Sequence, residues 1–394
     1  MYNASITCVV TIHGVGFQQP PSAGQAGYAD QLHAGLAAAL GPDVRLGDDP
    51  RRAPYQVGDS VPIYVSSEWP PDRPVQERGV ERVGTWVAGP GGTFTIDTST
   101  APLVTGDARV AHVALVYTGL EERGHDPAAV LAMATLGLAG LGRYGPAGAL
   151  PGLLWRSASG LLPRRGRAAG SASPSLAVRR DRRTLVTRAA RRPGAPDRGS
   201  VLIQIESDMA AYVVRNERRE LVRGFVEEVL LRLLARDDVG HVVVNAHSHG
   251  TAVAFDVARR LPRASARRVG ALVTAGSPLR KYSTMLSWGS EIGTLRLVPS
   301  WVNFYDPHDP VADALAPPAP GSASPGSLFC TVDPDTGATR AAAIEDRRVD
   351  NVAHCPAGPL AAHNYWDNTA EFVPALAGIV RDLASEPSAA RTPA

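Results

Sequence analysis

The sequence predicts an α/β protein with a mostly parallel central sheet flanked by helices. Two patterns carry that expectation. Short, near-continuous apolar runs rich in β-branched residues recur along the chain, as expected of strands covered on both faces. From about residue 200 onward such runs alternate with stretches of helical spacing, the mark of βαβ units. The 394 residues are 44% hydrophobic, which is enough to fill a sizeable core.

The elements follow in order. Ser5 to Ile12 reads as a buried strand that stops at His13-Gly14-Val15-Gly16. Tyr28 to Leu40 is an Ala-rich amphipathic helix, and Val61 to Val65 a second strand. Residues 70–108, rich in Pro, Gly and Thr, read as loops with short hairpins, and Val110 to Tyr117 as another apolar strand. The segment 127–155 is then Ala/Gly/Leu-rich, and 156–200 carries twelve arginines against two aspartates. The first is an apolar cap candidate and the second a basic, flexible loop; together they form a lid-like insertion. Val201 to Ile205 is a strand. Val213 to Arg236 is a long helix whose Val214, Leu221, Phe225, Val229 and Leu233 recur near the helical period. Strand His241 to Ala246, helix Thr251 to Arg260, strand Val269 to Thr274 and strand Ser300 to Tyr305 come next. Residues 314–345 read as loop with weak strand signal, Tyr365 to Leu383 as a closing amphipathic helix, and 386–394 as a disordered tail. The expectation is one domain over 1–385.

Composition narrows the function classes. The formal net charge is +2, the mean hydropathy −0.08, and no apolar run approaches the ~18 to 20 residues of a membrane span. The start has neither a basic n-region nor an apolar h-region, so no signal peptide is expected. Cys8, Cys330 and Cys355 make no disulfide framework and no CxxC zinc pair, and a cytoplasmic protein with free thiols is the expectation. All basic residues except Lys281 are arginine, which with the abundant Ala, Gly and Pro reflects a GC-rich coding bias. The arginines lack interleaved aromatics, so nucleic acid is not an expected partner.

The sharpest motif is Ala246-His247-Ser248-His249-Gly250, between a β-branched run and a helical stretch. It is a GxSxG-like nucleophile elbow with alanine in the first position. The tight turn strains the serine backbone and brings strand and helix too close for large side chains two residues either side. The helix N-terminus behind it supplies positive dipole and the backbone N–H of His249.

Four pieces in this order resemble the α/β-hydrolase superfamily, in its lipase- and esterase-like members. They are the strand ending in His13-Gly14-Val15-Gly16, like the oxyanion loop; the elbow; Leu272 to Leu279, like the strand and loop after the elbow helix; and Asn303 to Val311, like the acid loop, followed by a late histidine. The resemblance covers roughly residues 5–45, 200–312 and 360–385, and not 70–200. It implies an α/β-hydrolase fold and a Ser-acid-His order. Ser248 is then the nucleophile. Asp309 is preferred to Asp306 as acid, because Asp-Pro-Val gives it a rigid turn. His363 is preferred to His354 as base, because it immediately precedes the last helix. The backbone N–H groups of Val15 and His249 would bind the oxyanion. His13 and His247 are expected to pack, with His247 turned away from the serine, and Ser277 and Asp208 read as loop caps. The implied reaction is hydrolysis of a small-molecule or lipid carboxylic ester through an acyl-enzyme, without metal or organic cofactor.

Three other readings stand beside it. The same triad serves an acyltransferase or thioesterase. The scaffold can carry a non-catalytic partner-binding protein. His247 and His249 form an HxH pair that a metal-dependent hydrolase could use, although Gly250-Thr251-Ala252 continues it with no ligand. The insertion 127–200, apolar then arginine-rich, reads as a lid, a peripheral membrane contact, or a buried helix followed by a loop.

Overall fold

The computed structural model describes residues 5–14, 26–48, 61–66, 103–104, 106–117, 212, 216–280, 282, 294–296, 300–316, 329–332, 339–358 and 360–385. The insertion 127–200, the strand expected at Val201 to Ile205, most of the 70–108 loops and the tail 386–394 lie outside these residues.

The described elements are β1 (Ile6–Ile12), α1 (Asp30–Leu40), β2 (Leu46–Gly47), β3 (Ile63–Ser66), β4 (Val110–Val116), α2 (Asn216–Ala235), β5 (Val239–His247), α3 (Gly250–Ala258), α4 (Arg263–Ala266), β6 (Val269–Ala275), β7 (Thr294–Arg296), β8 (Trp301–Tyr305), β9 (Cys330–Val332), β10 (Thr339–Ala341), β11 (Ile344–Arg348), α5 (Asn351–His354), a 3-10 turn (Ala361–His363) and α6 (Phe372–Ser385). Eight strands form one sheet in the order β11-β8-β6-β5-β1-β4-β2, with β3 also paired to β4. Every pairing in this sheet is parallel. Strands β7, β9 and β10 make a separate small sheet.

The apolar runs form strands because both faces of the sheet are covered. Cys8, Val10 and Ile12 share a core with Val226 of α2 and Phe255 of α3, whereas Val9 shares one with Leu32 of α1 and Leu376 of α6. Alternate side chains of one strand thus enter two different layers. All nine residues of α3 are buried, which explains its run of small and apolar residues directly behind Ser248.

Three expectations are corrected. Ile344–Arg348, which begins at the end of the 314–345 stretch read as loop with weak strand signal and runs past it, is an edge strand parallel to β8. Its sequence Ile-Glu-Asp-Arg-Arg buries little, so it carries no apolar signature. The last helix starts at Phe372, not Tyr365. Pro374 gives the reason: a proline lacks the N–H and crowds the carbonyl four residues back, so it is tolerated only in a first turn. His363 therefore does not immediately precede α6; residues 364–371 lie between them.

Candidate active site

Parallel register sets the ends of four strands side by side. Ile12 is opposite Ala246, His247 opposite Ala275, and Ala275 opposite Phe304. The residues that follow each pair therefore gather on one edge: Gly14, Ser248, Gly276, and the turn Asp306 to Asp309. The neighbours of β1, namely β4 and β5, lie on its opposite sides, so the direction of winding reverses there. The crevice beyond the carboxyl ends of strands at such a reversal is where open α/β sheets hold ligands.

Ser248 has φ +55°, and among the described residues no other non-glycine has a positive φ. That left-handed backbone costs about 1–3 kcal/mol and persists only where the surroundings impose it. They do so here. The Ser248 N–H donates to the Ala275 carbonyl at 2.9 Å, and the Ser248 carbonyl accepts from the Thr251 N–H at 3.0 Å and the Thr251 hydroxyl at 2.7 Å. Thr251 Oγ1 also lies 2.9 Å from Ser277 Oγ, tying α3 to the loop after β6. The need for small residues is visible at Gly250, where a Cβ would lie 2.5 Å from the Ile12 carbonyl oxygen. At Gly14 a Cβ would lie 2.9 Å from Ser248 Cβ and 3.1 Å from its Oγ.

Of the acids and bases expected from the sequence, the structure brings together Asp309 and His363. His363 Nδ1 is 2.7 Å from Asp309 Oδ2, and both side chains are buried. Asp309 Oδ2 also accepts from the Tyr365 hydroxyl at 3.0 Å, while its Oδ1 accepts from the Val311 N–H at 2.9 Å. With Oδ2 as acceptor, Nδ1 carries the proton and Nε2 presents a lone pair. His363 Nε2 is buried and has no hydrogen-bond partner among the described residues. Its ring packs against His247, centroids 4.6 Å apart, and beside Gly276, where a Cβ would come within 2.9 Å of His363 Cε1. Gly276 adopts φ +61° and leaves that space open.

The alternates have other partners. Asp306 Oδ1 accepts from the His308 N–H at 2.7 Å, and its Oδ2 from the Asn351 N–H at 2.8 Å, joining the acid loop to the start of α5. His354, on α5, is exposed, with its Nε2 3.9 Å from Glu371 Oε1. Val15 and Asp208 lie outside the described residues. The rings of His247 and His249 diverge: His247 lies against His13, His363 and Trp366, while His249 bonds the Tyr282 hydroxyl at 2.9 Å and packs on Tyr212. The group among the described residues that has metal-ligating spacing, Asp306, His308 and Asp350, includes neither of them.

His13 bonds the Gly14 carbonyl through Nδ1 at 3.0 Å and lies edge-on to Trp366 and His247. Burial pushes His13 and His249 down to about 3, and His247 well below its ordinary value, so these rings are neutral. Burial, with Asp309 alongside, pushes the Tyr365 phenol well above its ordinary value and keeps it a donor.

Sequence reasoning missed Tyr365 and Trp366, because both fell inside the helix drawn from Tyr365. Pro374 was the signal that could have freed them. Leu279 N–H donates to Ser277 Oγ at 3.3 Å, the local cap expected of that serine. No family model, curated protein or solved structure matches the chain.

Proposed function

We propose that the protein is a serine hydrolase of carboxylic esters on an α/β-hydrolase fold, acting through an acyl-enzyme. The observation that carries the reading is the left-handed Ser248 on the β5–α3 turn, one residue from a histidine whose ring packs on the His363–Asp309 pair. A serine hydroxyl is a weak nucleophile, so the reaction needs a base with a free lone pair and a partner that fixes its tautomer. The Nε2 of His363, without a partner among the described residues, and the Nδ1 bond to Asp309 supply these two properties.

In the proposed sequence Ser248 Oγ attacks the ester carbonyl carbon as His363 Nε2 takes its proton. Asp309 stabilises the imidazolium through the Nδ1–H bond. The oxyanion meets the backbone N–H of His249 at the N-terminal end of α3 and, by the resemblance, that of Val15; one such donor contributes ~3 kcal/mol in the transition state. The carbonyl re-forms, the leaving alkoxide takes the proton from Nε2, and water then releases the acid by the same steps. The substrate is a small-molecule or lipid ester, and residues 127–200 are the proposed lid or membrane-contacting segment.

The test is a p-nitrophenyl ester chain-length series with labelling by a fluorophosphonate. The expected result is turnover and a covalent adduct on Ser248, both lost in Ser248→Ala. Full activity in Ser248→Ala overturns the reading.

A further inference from the structure

We propose that His247 is a positioning residue that sets the separation of Ser248 from His363 by holding the main chain of the base. The inference rests on the reading of Ser248 and His363 as nucleophile and base. His247 is the last residue of β5, covalently joined to Ser248. Its Nε2 lies 2.9 Å from the His363 carbonyl oxygen. A carbonyl only accepts, so Nε2 carries the proton and the ring is the Nε2–H tautomer. The ring is buried, and its Nδ1 has no hydrogen-bond partner among the described residues, so this one bond is what anchors the imidazole there.

The arrangement matters because no hydrogen bond among the described residues ties Ser248 to His363 directly. His363 Nε2 has no partner among the described residues. The imidazole is held by Asp309 at Nδ1, and that bond fixes rotation and tautomer, not distance from the serine. The 3-10 turn that carries His363 precedes a long irregular stretch and has no strand register of its own. Through His247, the strand end that carries the serine also grips the peptide of the base. The tilted ring contact at 4.6 Å backs the His363 imidazole from the same side. A neutral ring suits the place, since a cation there would oppose the imidazolium that forms on His363. His13 edge-on and Trp366 tilted against His247 close off its other sides.

Donor and packing can be separated with the full-length protein. His247→Phe keeps an aromatic body and removes the donor; His247→Gln places an amide N–H where Nε2–H was. With p-nitrophenyl acetate, His247→Phe is expected to lower kcat about 10²-fold, the cost of a misplacement near 1 Å, with KM within about twofold. His247→Gln is expected to recover most of that loss, and fluorophosphonate labelling of Ser248 to follow the same order. Nitrogen-15 NMR of the resting protein is expected to show His247 as a neutral Nε2–H ring, a readout that needs no turnover. Wild-type kcat in His247→Phe, a Gln variant as slow as the Phe variant, or an Nδ1–H tautomer each overturns the inference while Ser248→Ala remains inactive. If Ser248→Ala keeps full activity, the catalytic reading itself falls, and the inference with it.

Discussion

At the scale of single residues, the two aspartates of the 306–309 turn are separated by what they hold. Asp309 faces the His363 imidazole, whereas Asp306 spends both oxygens on backbone N–H groups of the loop and of α5. Asp309→Asn is expected to lower kcat about 10⁴-fold by reversing the imidazole tautomer. Asp306→Asn is expected to leave kcat within a few-fold and to cost about 1–3 kcal/mol of stability, the penalty for buried groups left without a charged partner. Ester kinetics together with urea denaturation of the two variants check both outcomes. Gly14 makes a third residue-scale case. A methyl group there would meet Ser248 Cβ at 2.9 Å and its Oγ at 3.1 Å, so the serine must move. Gly14→Ala is expected to lower kcat by about 10²-fold with little change in the urea midpoint.

Elements show where sequence was readable and where it was not. Strands β1, β5, β6 and β8 are buried on both faces, and such strands announce themselves as apolar runs. The elbow was legible for the same reason: its small residues answer a demand that the structure displays as the 2.5 Å approach of a Gly250 Cβ to the Ile12 carbonyl. That contact is with main chain, which cannot step aside. Gly250→Ala is therefore expected to destabilise the protein by about 1–3 kcal/mol by prying α3 from β1, as a fall in thermal midpoint would show. Strand β11 was illegible because an edge strand with one buried side chain has no alternation to read. The Tyr365–Asp309 bond was illegible because it joins positions 56 residues apart, and only the backbone trace brings them together.

For the whole molecule, four interior histidines weaken the fold in acid, against the opposite pull of Asp30 and Asp256, whose carboxyls burial pushes up. Burial holds His13 and His249 down to about 3; it holds His112, with His33 beside it, and His247, with His363 and His13 nearby, well below 6.5. Unfolding returns them to water, where they take up protons below about 6.5. Through these four rings the unfolded chain then binds more protons than the folded one between about 6.5 and 3, and the stability they contribute falls as the pH drops through that window. The slope is up to about 1.4 kcal/mol per pH unit for each ring. Urea midpoints at about pH 8 and pH 5 check this: the midpoint is expected to be lower at pH 5, and equal midpoints would refute it.

The charged border strand β11 has a consequence for self-association. Main-chain groups at the rim of any sheet are an invitation to a second copy, and an oily ribbon there would recruit one into a growing stack. On β11 an exposed Glu345 pairs with Arg347 at 2.7 Å, and the Arg347 guanidinium lies over the Phe304 ring at 5.8 Å. Seating a second copy there would strip water from the exposed Glu345 and Arg348 and disturb the Glu345–Arg347 pair. The same five residues that hid from a hydropathy reading thereby guard against fibril-like polymerisation.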